Sequence, residues 1–77
     1  MIRVKLFGIL KSKMPETDDE GFWCVEAGGK TVGELFEEAG IGPEVACTIL
    51  VNKSRKDREY LLKDGDVMTV MPLVAGG

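Results

Sequence analysis

A single amphipathic stripe constrains this chain more than any other feature. Val32, Leu35, Phe36 and Ala39 recur at i, i+3, i+4 and i+7, which is one apolar face of a helix. Thr31 with Glu34 three residues later forms a capping box at its start, while Glu34, Glu37 and Glu38 occupy the remaining surface. Gly40 stops the helix and Gly42-Pro43 opposes a restart, so a short helix is predicted over 31–40. One stripe has to be buried against something, and the rest of the chain offers strands.

Ile2, Val4 and Leu6 alternate with Arg3 and Lys5, the period-two pattern of a strand with one face in a core. Phe7 extends it, and Gly8 marks a bend. Residues 11–21 are polar, with Pro15 and the run Asp18-Asp19-Glu20, and read as a long loop. Phe22-Trp23-Cys24-Val25 has the aromatic and β-branched content of a second strand, pairing antiparallel with the first. Thr48-Ile49-Leu50-Val51 is a third, ended by Asn52-Lys53-Ser54. Tyr60, Leu61 and Leu62 form an apolar anchor before the turn Lys63-Asp64-Gly65-Asp66. Val67 to Met71 is the last strand, with Pro72 ending its ladder.

The order is therefore strand, strand, helix, strand, a short irregular piece, strand. If the last strand lies beside the first, the two run parallel in the middle of a mixed sheet, and a right-handed crossover carries the helix across one face. The expectation is an α+β domain of the ubiquitin-like β-grasp type over residues 1–72, with 73–77 as a flexible tail.

Composition removes several functions. The 77 residues make one small domain with little room to enclose a deep active site. Ten Lys+Arg against 13 Asp+Glu give a net charge of −3, which argues against nucleic acid as a partner. Lys53, Arg55, Lys56 and Arg58 are interrupted by Ser54 and Asp57 and read as a solvated turn. No apolar run reaches the roughly 18 residues of a membrane span, and the N-terminus lacks the apolar stretch of a signal peptide. A cytoplasmic protein without membrane contact is expected. Cys24 and Cys47 are too far apart for a metal or redox pair, and both read as buried thiols acting as small hydrophobes. Two cysteines cannot hold a [2Fe–2S] cluster. There is no histidine, the commonest general base and metal ligand. Neither a bound metal nor a bound cofactor is expected.

What remains is the end of the chain. After Pro72 come Leu73, Val74, Ala75, Gly76 and Gly77. Five extended residues reach roughly 16–18 Å, enough to carry a carboxylate into another protein, and glycines lacking Cβ can pass a narrow channel. With 10 glycines in 77 residues, a final pair arises by chance in about 2% of cases.

The stretch Leu62-Lys63-Asp64-Gly65-Asp66-Val67, followed by Met71-Pro72-Leu73-Val74-Ala75-Gly76-Gly77, resembles the sulfur-carrier family often called MoaD/ThiS. That family contains the small subunit of molybdopterin synthase and the thiamine-pathway carrier. The likeness takes in the opening strand with Phe7, the helix, the strand ending in Asn52 and the Asp-Gly-Asp turn. It implies that an E1-like enzyme uses ATP to adenylate the carboxylate of Gly77, and that a sulfur donor then displaces AMP to leave a thiocarboxylate. Gly76 would be the narrow neck behind it and Ala75 part of the arm, with Met71, Pro72, Leu73 and Val74 as partner contacts. The implied partners are the activating enzyme, the donor, and a molybdopterin synthase large subunit or thiazole synthase. The chain itself would be a carrier or accessory subunit, not an enzyme. The long 11–21 loop and Pro72 point toward the molybdopterin branch. Val70 and Met71 stand where aromatic residues are common in that branch, so thiamine, cysteine-synthesis and tungsten-cofactor carriers stay open. Two other classes also stay open: a ubiquitin-like modifier joined through Gly77 to lysines, and a β-grasp module that binds without covalent chemistry.

Overall fold

The computed structural model describes residues 1–73. In chain order these form β1 (Ile2–Leu6), a 3₁₀ helix (Gly8–Lys13), β2 (Trp23–Val25), α1 (Val32–Ala39), β3 (Cys47–Val51), β4 (Ser54–Lys56) and β5 (Val67–Pro72). The strands make one sheet in the order β2-β1-β5-β3-β4. β1 and β5 run parallel, from Arg3 opposite Val67 to Leu6 opposite Val70. All other neighbours are antiparallel. The expected mixed sheet with parallel first and last strands is therefore present, and the fold is the ubiquitin-like β-grasp.

Alternation decides which face is buried. Ile2, Val4 and Leu6 of β1, Met68 and Val70 of β5, and Ile49 and Val51 of β3 point to one side. There they pack with Val32, Leu35 and Phe36 of α1 in a single core that also takes Leu10, Trp23, Ala27, Ile41 and Leu62. The helix forms as its sequence dictates. The Glu34 N–H donates to Thr31 Oγ1 at 3.1 Å, and the Thr31 N–H donates to Glu34 Oε1 at 2.8 Å. Gly40 closes it in the left-handed region at φ 79°. Two further orphan amides of the first turn find the 58–60 segment: Val32 N–H donates to Tyr60 O and Gly33 N–H to Arg58 O. Arg58 in turn donates to Gly42 O and Val45 O, and its guanidinium lies 4.8 Å above the Phe36 ring. It is a strut between loop and helix, not part of a loose basic turn.

Several expectations need correction. The start of the expected long loop continues a 3₁₀ helix opened at Gly8, held because Leu10 reaches the core while Ile9 stays exposed. The chain after Asn52 does not leave the sheet. Asn52 and Lys53, at φ 52° and 70°, make a two-residue hairpin turn into β4. Of the apolar anchor only Leu62 is fully buried; Tyr60 is half-buried and Leu61 is exposed. Cys24 is not buried: Trp23 and Val25 take the inward positions of β2, which leaves Cys24 on the outer face, and Cys47 is only half-buried. As expected, Pro72 is the last residue of the β5 ladder, paired with Cys47, and the Leu73 N–H then donates to Ala46 O just beyond it.

Candidate functional site

The candidate site begins where β5 begins. Asp66 is 6% exposed, and its carboxylate gathers three donors. Asn52 Nδ2 reaches Oδ1 at 2.9 Å, while Lys63 N–H at 2.9 Å and the Tyr60 hydroxyl at 3.4 Å reach Oδ2. Asn52 Oδ1 accepts from Val67 N–H at 3.0 Å. The Lys63–Asp66 turn is tied to the chain start as well, through Arg3 N–H to Asp66 O and Gly65 N–H to Met1 O. The Met1 ammonium pairs with Asp64. The strand that leads to the C-terminus is thus fixed at its entry by side chains from three segments.

From there β5 runs through the centre of the sheet, paired with β1 on one side and β3 on the other. Met71 and Leu73 share parity with Val67 and Thr69 and lie on the face opposite α1, 38% and 59% exposed. Pro72 shares parity with the buried Met68 and Val70 and lies on the helix side, half-buried against Gly8. The sequence-predicted contacts therefore divide between two faces. Leu73 N–H donates to Ala46 O at 2.9 Å, so this residue is still held beside β3. Val74, Ala75, Gly76 and Gly77 lie outside the described residues.

The helix-free face has an apolar strip that the sequence reading did not single out. Leu50 sits between Thr69 of β5 and Arg55 of β4, and a shallow groove lined by Phe22, Leu50, Asn52, Lys53, Val67 and Thr69 opens there. Its signal was the apolar run Ile49-Leu50-Val51, which shows no alternation because Leu50 is apolar on the face opposite Ile49 and Val51. Cations border the strip. Arg55 and Lys53 make no ion pair among the described residues. On the other border the Arg3 guanidinium lies 4.1 Å and Lys5 Nζ 5.1 Å from the Phe22 ring centre.

Arg3 also bonds Glu20 at 2.8 Å and Asp18 at 3.3 Å, and the Glu20 bond leads the causes that raise its pKa. Asp18 organises the loop beside it, with Oδ1 accepting from Phe22 N–H and Glu20 N–H, both at 2.9 Å. The Phe22 bond, with those from Glu20 and Arg3, holds its carboxyl below the usual carboxylate range against a smaller desolvation effect. No group of three or more metal-ligating side chains occurs among the described residues. No helix among them is long and apolar enough to cross a membrane.

A scan against protein-family models matches the ThiS family over residues 4–77, nearly the whole chain. The chain belongs to the ThiS family. Its match runs through Gly76 and Gly77. A search of curated proteins finds no match. Among solved structures, SAMP1 from Haloferax volcanii aligns at 22% identity and TM-score 0.63, covering 99% of this chain and 98% of that one. The Haloferax volcanii HVO 2177 protein aligns at 22% identity and TM-score 0.64, covering 99% and 85%. Both likenesses support the fold. A complex of subunits 1 and 2 of the molybdopterin-converting factor from Helicobacter pylori aligns at 28% identity and TM-score 0.56, covering 99% and 97%. This ThiS-family chain is thus a MoaD/ThiS-like β-grasp protein.

Proposed function

We propose that this ThiS-family protein is a sulfur carrier whose reactive group is the carboxylate of Gly77. The observation that carries the reading is the family match, which runs through the diglycine that follows the central strand by four residues in sequence. A carboxylate is a poor electrophile until one oxygen becomes part of a leaving group. An E1-like adenylating enzyme supplies ATP: a Gly77 carboxylate oxygen attacks the α-phosphorus and pyrophosphate leaves. Sulfide from a donor then attacks the carbonyl carbon, the bond to AMP breaks, and the thiocarboxylate remains. This chain provides the arm and the docking surface, with Gly76 and Ala75 as the thin segment behind the reacting carbon. Met71 and Leu73, continuous with the strip around Leu50 and Val67, are the surface on which partners seat, and Pro72 braces the exit. ATP belongs to the partner, and the chain binds no cofactor of its own.

The Helicobacter pylori neighbour is a two-subunit complex of a molybdopterin-converting factor, which favours a molybdopterin synthase large subunit as the acceptor over a thiazole synthase. The setting is cytoplasmic. Intact-protein mass spectrometry tests the reading: full chain incubated with its adenylating enzyme, ATP and hydrosulfide should gain the mass of one oxygen-to-sulfur exchange, located on Gly77. No exchange with any such enzyme, or unchanged function after deletion of Gly77, would remove the reading. Diglycine remnants on target lysines without thiocarboxylate would point to a protein modifier.

A further inference from the structure

We propose that the helix-free face of the sheet pairs with the same face of a second copy, giving a weak two-fold dimer of this chain. The register of the sheet sets opposite charge at its two sides. Lys5, Thr69, Leu50 and Arg55 form one row across β1, β5, β3 and β4. Cys24, Arg3 and Val67 form the next row on that face, across β2, β1 and β5. The β4 side is cationic, because Arg55 and Lys53 are exposed and make no ion pair among the described residues. The β2 side is acidic. Glu20 and Asp18 close over Arg3, and the Glu20 side chain stays 73% exposed against 38% for Arg3. Asp19, exposed in the same turn, makes no ion pair among the described residues, while Lys5 Nζ donates to the Glu20 carbonyl. Across the whole face Arg3, Lys5, Lys53 and Arg55 stand against Asp18, Asp19 and Glu20. The two signs nearly balance but are segregated, which suits a partner of the same mixed pattern better than a wholly acidic one.

β5 is the third of five strands. A two-fold axis laid along it sets β3 opposite β1 of the other copy, and β4 opposite β2. Val67, Thr69 and Met71 then stack on their own counterparts. Leu50 meets the Phe22 ring, which lies 5.1 Å from Lys5 Nζ, and the groove between Phe22 and Leu50 is filled. Arg55 meets Glu20, and each of these contacts is made twice. Packed sheets lie about 10 Å apart, a gap that an extended Arg and Glu span together. An aligned packing angle of about 30° moves the outer strands, roughly 10 Å from the axis, by about 5 Å, still within their reach.

Five strands and the six residues of β5 give a face of roughly 20 Å by 20 Å, or about 800–1,000 Å² for the pair. That is the low end for a specific interface and fits a dissociation constant on the order of 10⁻⁴ M. The dimer covers the face that the carrier reading assigns to partners, so the two complexes exclude each other, yet its existence does not depend on that reading.

Sedimentation velocity of the full chain, from about 20 µM to about 1 mM, brackets that constant and tests the proposal. The dimer fraction should rise with concentration, and raising salt from about 0.05 to about 0.5 M should weaken association several-fold. Arg55→Glu and Glu20→Arg should each weaken association at least about ten-fold. An equimolar mixture of the two variants should associate again, because each supplies the sign the other lacks at both contacts. If Glu20→Arg does not fold without its bond to Arg3, NMR dilution of the wild-type chain decides: amide shifts should move at Phe22, Leu50, Arg55 and Thr69 and stay fixed along α1. A wild-type chain still monomeric at the highest concentration, a mixture that does not associate, or shifts confined to α1 overturns the inference and leaves the face to a foreign partner. Thiocarboxylate formation on Gly77 is read separately, so the carrier reading survives each of these results, and its own failure leaves the dimer standing.

Discussion

Asp66→Asn is the most informative single change to the strand that leads to the C-terminus. Oδ1 of Asp66 accepts from the Asn52 amide and Oδ2 accepts from Lys63 N–H, each at 2.9 Å. A carboxamide has one acceptor oxygen and one NH2 group. Whichever way it is turned, the NH2 meets either the Asn52 NH2 or the Lys63 N–H, donor against donor. Turning Asn52 over instead would deprive Val67 N–H of its acceptor. One hydrogen bond at a site 6% exposed is lost in every arrangement. Leaving a buried donor unmet costs about 1–3 kcal/mol. For a domain of this size about 2 kcal/mol corresponds to a fall in Tm of about 8–16 °C. Far-UV circular dichroism melts at fixed protein concentration measure it. The same geometry predicts a rescue. In the double variant Asn52→Asp with Asp66→Asn, the new carboxylate accepts from Val67 N–H and from the introduced carboxamide, whose oxygen faces Lys63 N–H. Every bond is restored, so most of the lost Tm should return. A fall of less than about 2 °C for Asp66→Asn, or no recovery in the double variant, would refute this account of the turn.

Phe36→Ala removes a fully buried ring and the surface under Arg58, and should cost about 3–5 kcal/mol in urea unfolding. That is a large share of what roughly 77 residues can hold. Asp18 titrates below its usual range when folded, so its contribution is present above the unfolded pKa and is lost as pH falls through the folded one. Carboxyl NMR should place its midpoint under that of a free aspartate, and Asp18→Asn should flatten the acid side of the stability profile. Arg3, raised from an already high value, is charged in both states near neutrality and adds no slope there. Cys24, exposed beside Arg3 on the outer face, should react with a thiol reagent in the native protein well before the half-buried Cys47. Equal rates would contradict the register of β2.

Where a signal was local, the sequence carried it. The capping box and the Val32–Leu35–Phe36 stripe fixed the helix within one residue at each end, and the alternation of Ile2, Val4 and Leu6 oriented β1. The misses share a cause in contacts distant along the chain. The 3₁₀ helix depends on Leu10 reaching a core made elsewhere. β4 is Ser54-Arg55-Lys56, three exposed residues with no apolar period, stabilised by pairing with β3 alone. The outward position of Cys24 is not legible in the sequence, because Phe22 to Val25 is apolar throughout and no alternation tells inside from outside. At the candidate site the diglycine was legible as a motif. The division of Met71 and Leu73 from Pro72, and the strip around Leu50, required the sheet.

The placement of β5 between β1 and β3 has a consequence for how the molecule comes to exist. Before that strand is in place, the first two strands form one ribbon and the third and fourth another, and no backbone bond of the sheet joins them. The element that unites the halves is the latest in chain order, and its pairing with β1 spans more than sixty residues. Folding of such a topology waits on a long-range closure and is slow relative to its size. Until then both ribbons present unpaired edges open to association. A nascent or truncated chain without Val67–Pro72 should therefore be recognised by chaperones and proteases, and assembly of the sheet becomes a check that synthesis has passed β5.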